Sequence, residues 1–203
     1  MKMNKTIKTT MSLAAAMGFL AATSASAAIT LTNPSFEAGS TSPPAGWLTD
    51  VGGASRNGNA SLPSTDGIRD VWTNTGYTVY QTVGEVIQLG TTYTLTIDIG
   101  TRGWATATGT FRLYGDAGFA TAIGGAESAV AVTTDNTWIT DQSVSFTATA
   151  AEAGQLLGVS FGTTAGTQNE WDNVRLTAVA VPEPTTTALL GLGGLALILR
   201  RRK

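Results

Sequence analysis

From Tyr93 to Ile99 the chain alternates strictly, with Tyr93, Leu95, Ile97 and Ile99 on one side and Thr94, Thr96 and Asp98 on the other. A period of two marks a strand with one buried face, because successive side chains leave a strand in opposite directions. The same alternation recurs from Tyr77 to Val83, and Phe111 and Leu113 are set against Arg112 and Tyr114. Val144 and Phe146 interleave with Ser143, Ser145 and Thr147, and Leu157, Val159 and Phe161 with Gly158 and Ser160. A last strand is predicted from about Trp171 to Thr177. No window carries a 3.6-residue apolar period. Seven or eight short strands with glycine-rich turns predict an all-β chain folded as an antiparallel β-sandwich. Gly39 to Pro63, rich in Gly, Ser, Pro and Asn, is expected to be a long ordered loop with a short strand at Trp47.

The two ends follow other patterns. Lys2, Lys5 and Lys8 precede an apolar stretch from Leu13 to Ala22, and Ala25-Ser26-Ala27 supplies a small-residue cleavage site. Residues 1–27 therefore predict a secretory signal peptide, with the mature chain starting at Ala28. At the other end, Pro182-Glu183-Pro184 is followed by an uninterrupted apolar run from Ala188 to Leu199 and then by Arg200, Arg201, Arg202 and Lys203. The prolines end the preceding fold, since neither can donate a backbone hydrogen bond. The run is apolar all round and predicts a hydrophobic transmembrane helix, with the basic end held on the cytoplasmic side. Counted from Thr185 it would span about 22 Å as helix against about 30 Å of hydrocarbon, which is short for a permanent anchor.

The order of parts in residues 181–203 resembles the PEP-CTERM sorting signal of Gram-negative bacteria. That resemblance implies exosortase as a partner acting near the Pro-Glu-Pro, a transient inner-membrane intermediate, and a cell-surface or extracellular destination.

Between the two ends, residues 28–180 form one domain. It holds only Arg56, Arg69, Arg102, Arg112 and Arg175 against thirteen carboxylates, a net charge near −8. Nucleic acid is excluded as a partner, because no cationic surface is present to displace counterions from phosphate. The chain has no Cys or His, which removes thiol nucleophiles, the usual triads and zinc sites.

Within the domain, Asn33-Pro-Ser-Phe-Glu37 and Asp172-Asn-Val-Arg-Leu176 are the most specific parts of a second resemblance, to the galactose-binding-like jelly rolls. That fold is shared by many carbohydrate-binding modules of glycoside hydrolases. The parity set by Val174 and Leu176 puts Asp172 on the inward face, and Glu37 follows the first strand. If the first and last strands are neighbours, as the resemblance implies, Glu37 and Asp172 meet at one rim. Two carboxylates with nearby carbonyls suit Ca²⁺, and in the resembled modules an equivalent Glu and Asp hold a structural calcium. Glu37, Asp172 and Asn33 are the candidate ligands. The alternative is that Glu37 pairs with Arg175 or Arg56 and Asp172 caps a turn.

No acidic pair lies in a catalytic motif, so the domain is expected not to be an enzyme. The aromatic residues support binding, since flat rings stack on sugar faces while polar side chains bond the hydroxyls. Trp47, Trp138 and Trp171 read as core or rim packing. Trp104, in the small-residue stretch GTRGWATATG, reads as a sugar-stacking residue with Arg102 beside it, and Trp72 as a second. An extracellular polysaccharide is thus the expected ligand. The other reading is a structural matrix or biofilm protein with the same fold and no sugar ligand.

Overall fold

The computed structural model describes residues 26–39, 42–51, 55–57, 61–103, 106–181 and 200. Among these it has eleven strands: β1 Ser26–Ile29, β2 Leu48–Thr49, β3 Ser55–Asn57, β4 Asp70–Asn74, β5 Thr78–Val86 and β6 Thr91–Thr101. They continue with β7 Ala107–Tyr114, β8 Ala122–Val132, β9 Thr137–Thr147, β10 Leu156–Ala165 and β11 Gln168–Ala180. One sheet runs β3-β4-β11-β6-β9 with β1 paired to β11; the other runs β2-β5-β10-β7-β8. All strand pairs are antiparallel, so the chain is the expected β-sandwich. No described helix is long and apolar enough to cross a membrane, and the predicted leader and apolar tail lie almost wholly outside the described residues.

The alternating residues do what their pattern predicts. Leu95, Ile97 and Ile99 of β6, Phe111 and Leu113 of β7, and Leu157, Val159 and Phe161 of β10 are all buried between the sheets. An aromatic chain closes the core: Phe36 lies 5.3 Å from Trp47, Trp47 5.3 Å from Phe161, and Phe161 5.1 Å from Trp171. Buried indole N–H groups need acceptors; Trp47 Nε1 donates to Asn33 O at 3.0 Å and Trp171 Nε1 to Thr73 Oγ1 at 2.8 Å.

Three elements were not legible beforehand: β3, β4 and the long β8, whose Gly and Ala positions blur the alternation. β1 pairs with β11 as expected, Ala28 opposite Thr177 and Ile29 opposite Leu176, and the strand begins two residues before the predicted cleavage point.

One parity is corrected. The register of β11 against β6 shifts between Asp172 and Arg175, and Asn173 takes a φ of 53°. This bulge inserts one extra residue, so Trp171, Val174 and Leu176 all point into the core. Asp172, paired opposite Asp98, points to the outer face instead of the inner one. The expectation that Asp172 shares a face with Val174 fails because strict alternation was carried across the bulge.

Candidate functional site

The outer face of the six-stranded sheet carries two groups of carboxylates, one around Asp172 and one around Glu170 of β11. The first is bonded to a strap, residues 63–69, that crosses the sheet. Asp172 Oδ2 accepts from Thr65 N at 2.7 Å, Thr65 Oγ1 at 3.1 Å and Asp66 N at 2.8 Å, and its Oδ1 accepts from Asn173 N at 2.7 Å. Glu37 Oε1 accepts from Ile68 N at 2.8 Å and Arg69 N at 2.7 Å. Gly67, at φ 81°, lets that carboxylate lie across the turn, because a Cβ there would sit 2.5 Å from Glu37 Oε1. Ser35 Oγ donates to Asp66 Oδ2 at 2.7 Å, and Trp138 Nε1 to Pro63 O at 2.9 Å.

Glu37 and Asp172 thus do converge, on the amides of one strap. Asn33 closes its own turn: Nδ2 donates to Ala38 O and Ala45 O, while Oδ1 accepts from Ala38 N. Among the described residues, no cluster of three or more acidic side chains is arranged to hold a metal ion. Arg175, an alternative partner for Glu37, pairs with Asp141 at 2.5 Å and reaches to 3.9 Å from Asp98.

The second group is different. Trp72 of β4 lies opposite Glu170 of β11, and Glu170 opposite Gly100 of β6. Asp70, two residues from Trp72, shares that face. Trp138 of β9 pairs with Gly100, and its ring lies over that glycine: a Cβ on Gly100 would sit 2.9 Å from Trp138 Cε3. The row across the sheet is therefore Trp72, Glu170, Gly100, Trp138.

Asp70 and Glu170 are almost completely buried, and among the described residues no backbone amide donates to either; each carboxyl lies within hydrogen-bonding reach of the other. The hydroxyl of Ser64 lies against the Asp70 carboxyl and helps to hold its charged form. The charge partner is Arg102, whose Nε lies 3.3 Å from Glu170 Oε1. Burial pushes Asp70 up to about 6 and Glu170 up to about 8, with Arg102 pulling both back. Asp172 is also raised by burial, to about 7, against the pull of the strap's donors. Near neutral pH the Asp70–Glu170 pair therefore holds a proton between its two carboxyls. Such a pair can both donate and accept a hydrogen bond, and can give up a proton as an acid.

Arg102, which pairs with Glu170, also lines a pocket of about 340 Å³ with Trp72, Thr167 and Gln168. Two of the three residues expected to bind sugar, Trp72 and Arg102, are thus brought together on one wall. Trp104, the third, lies outside the described residues. Sequence reading missed Glu170, Asp70 and the placement of Trp138. A usable signal was present in Gln168-Asn169-Glu170-Trp171-Asp172-Asn173, since so many polar side chains in a central strand are costly without partners.

With this geometry in place, the profile of the HpiC1 cyclase family matches residues 27–177. The chain belongs to the HpiC1-like family. The PEP-CTERM protein-sorting motif matches residues 180–203, so the tail of this HpiC1-like protein carries the sorting signal that its Pro-Glu-Pro and basic end suggested. No curated protein matches the chain.

Among solved structures it is similar to the Stig cyclase Fisc from Fischerella sp. TAU, solved in complex with (3Z)-3-(1-methyl-2-pyrrolidinylidene)-3H-indole. The identity is 22%, over 76% of this chain and 98% of that one, with a TM-score of 0.63. An apo cyclase from Fischerella sp. aligns at 22% identity, over 79% and 98%, with a TM-score of 0.61. The CBM22-1 xylan-binding domain of Paenibacillus barcinonensis Xyn10C aligns at 18%, over 79% and 100%, with a TM-score of 0.55. These likenesses establish for the HpiC1-like domain the sandwich fold that cyclases and a carbohydrate-binding module share. They do not by themselves carry function.

Proposed function

We propose that this is an exported, surface-sorted protein that binds extracellular polysaccharide at the Trp72–Arg102 pocket and makes or breaks no bond there. The observation that carries the reading is the pocket's composition: an indole face, a guanidinium and the Gln168 amide around about 340 Å³, at a rim of the sandwich. An indole stacks on the apolar face of a pyranose, and the polar groups bond its hydroxyls. The Asp70–Glu170 pair behind Arg102 holds that guanidinium in place. Exosortase would handle the tail, with the apolar run seated in the inner membrane meanwhile. A structural calcium at Asn33, Glu37 and Asp172 is a separate proposal; it would have to share oxygen atoms with the strap amides already bonded there.

A second reading is favoured by one observation, the buried acid pair without backbone donors, which suits proton-driven cyclisation chemistry of the sort the family's name implies. One set of variants separates the two. Under the binding reading, Trp72→Ala loses retardation in polysaccharide affinity gels, on the order of a thirtyfold weakening, while Glu170→Gln keeps most of it. Under the cyclase reading, no polysaccharide retards the wild type, an indole-bearing ligand binds instead, and Glu170→Gln abolishes its turnover.

A further inference from the structure

Seven large apolar side chains are exposed among the described residues, and four of them, Val86, Leu89, Leu156 and Val181, gather at one end of the sandwich. Val86 and Leu156 are direct partners across β5 and β10. Ile87 N donates to Gln155 O and Gly154 N to Ile87 O, which ties that pair to the next turn. Val181 N donates to Gly90 O, placing Val181 beside Leu89. No arginine or lysine of the described strands lies at this end, so the patch offers apolar contact and no attraction to anionic head groups. Glu85, Asp116 and Glu152 lie around it.

This is also where the chain enters and leaves. Ser26 pairs with Val179, and β11 ends at Ala180, followed by the segment that leads to the apolar run. Residues 182–187 separate the domain from that run, a tether of at most about 20 Å even when fully extended. The hydrocarbon is about 30 Å thick within about 40–45 Å of bilayer, so a tether of that length keeps Val181 close to the head groups. The candidate pocket, at Gln168, is at the opposite end of β11, about 40 Å away along a strand of thirteen residues.

We propose that the end bearing Val86, Leu89, Leu156 and Val181 rests on the phospholipid bilayer while the tail is inserted, so that the pocket faces away from the membrane. This rests on the reading that the apolar run from Ala188 to Leu199 enters the bilayer. Four exposed apolar side chains at the point of attachment are what a lipid surface would cover, and contiguous exposed apolar patches mark such contacts.

The chain has no cysteine, so single labels are clean. Full-length mature protein would be reconstituted into phosphatidylethanolamine–phosphatidylglycerol vesicles containing doxyl-labelled acyl chains. An NBD fluorophore would be placed in turn at Leu89→Cys, Leu156→Cys, Ala165→Cys and Leu192→Cys. The expected result is strong quenching at positions 192, 89 and 156, the latter two several times that at position 165 on the distal end. Quenching at 192 with positions 89 and 156 no different from 165 would overturn the proposal and show that a second copy or the tail itself covers the patch. An unquenched label at 192 would overturn the tail reading, and the membrane-facing end with it. Unchanged denaturation midpoints for the four labelled proteins exclude misfolding as the cause.

Discussion

Two pairs of carboxylates occupy one face of one sheet, and they have opposite fates. Glu37 and Asp172 are satisfied by the backbone of the strap, whereas Asp70 and Glu170 are buried with no backbone donor among the described residues and lie against each other. A carboxylate that collects amide donors, buried like Asp172 or exposed like Glu37, acts as a structural clamp on the strap. A buried carboxylate without donors costs stability and persists only if something else uses it. The contrast separates what holds the strap from what the strap covers.

The sharpest way to break that contrast is to remove the clamp. Asp172→Ala leaves the amides of Thr65, Asp66 and Asn173 without their acceptor, and should cost about 3–5 kcal/mol in denaturant unfolding. A loss below 1 kcal/mol would show that the strap is held by its other contacts.

The buried acid pair predicts a smaller effect, and its sign follows from the direction of the shifts. Asp70 and Glu170 hold their protons in the folded chain to about 6 and about 8, above their ordinary values of 3.8 and 4.5. The folded state therefore binds more protons than the unfolded one across that window, and stability falls as pH rises from about 4 to about 8. On the order of 2 kcal/mol should be lost between pH 5 and pH 8; Glu170→Gln should reduce that slope, and the part that remains belongs to Asp70 and to Asp172, which burial also raises, to about 7. A wild-type slope of the opposite sign would show that Arg102 keeps both groups ionised.

Calcium should produce the smallest change, because strap amides already serve the carboxylates it would use. A modest rise in melting temperature with calcium, reversed by chelator and absent in Asp172→Ala, is the expected result. A melting curve indifferent to calcium removes the ion from this rim.

The strands of the core were readable in advance because alternation is a local property. Tyr93 to Ile99 announces its buried face without reference to any partner, and all four of its alternate residues are buried. The sorting signal of the tail was readable for the same reason, since it is an ordered run of punctuation, apolar residues and charge. Composition alone removed thiol and histidine chemistry from consideration. The site was only half legible: Trp72 and Arg102 could be named, but not that they share a wall.

What only the tertiary structure decided is everything that depends on register between distant strands. Asp70 and Glu170 are a hundred residues apart in the chain and meet because β4 and β11 pair with Trp72 opposite Glu170. Asp172 points outward because one extra residue at Asn173 reverses the face of everything before it. Trp138 lies against β6 because Gly100 leaves room for its ring. A sequence specifies which residues can line a strand face; the pairing of strands, set by the packing of the whole core, determines which of those residues become neighbours.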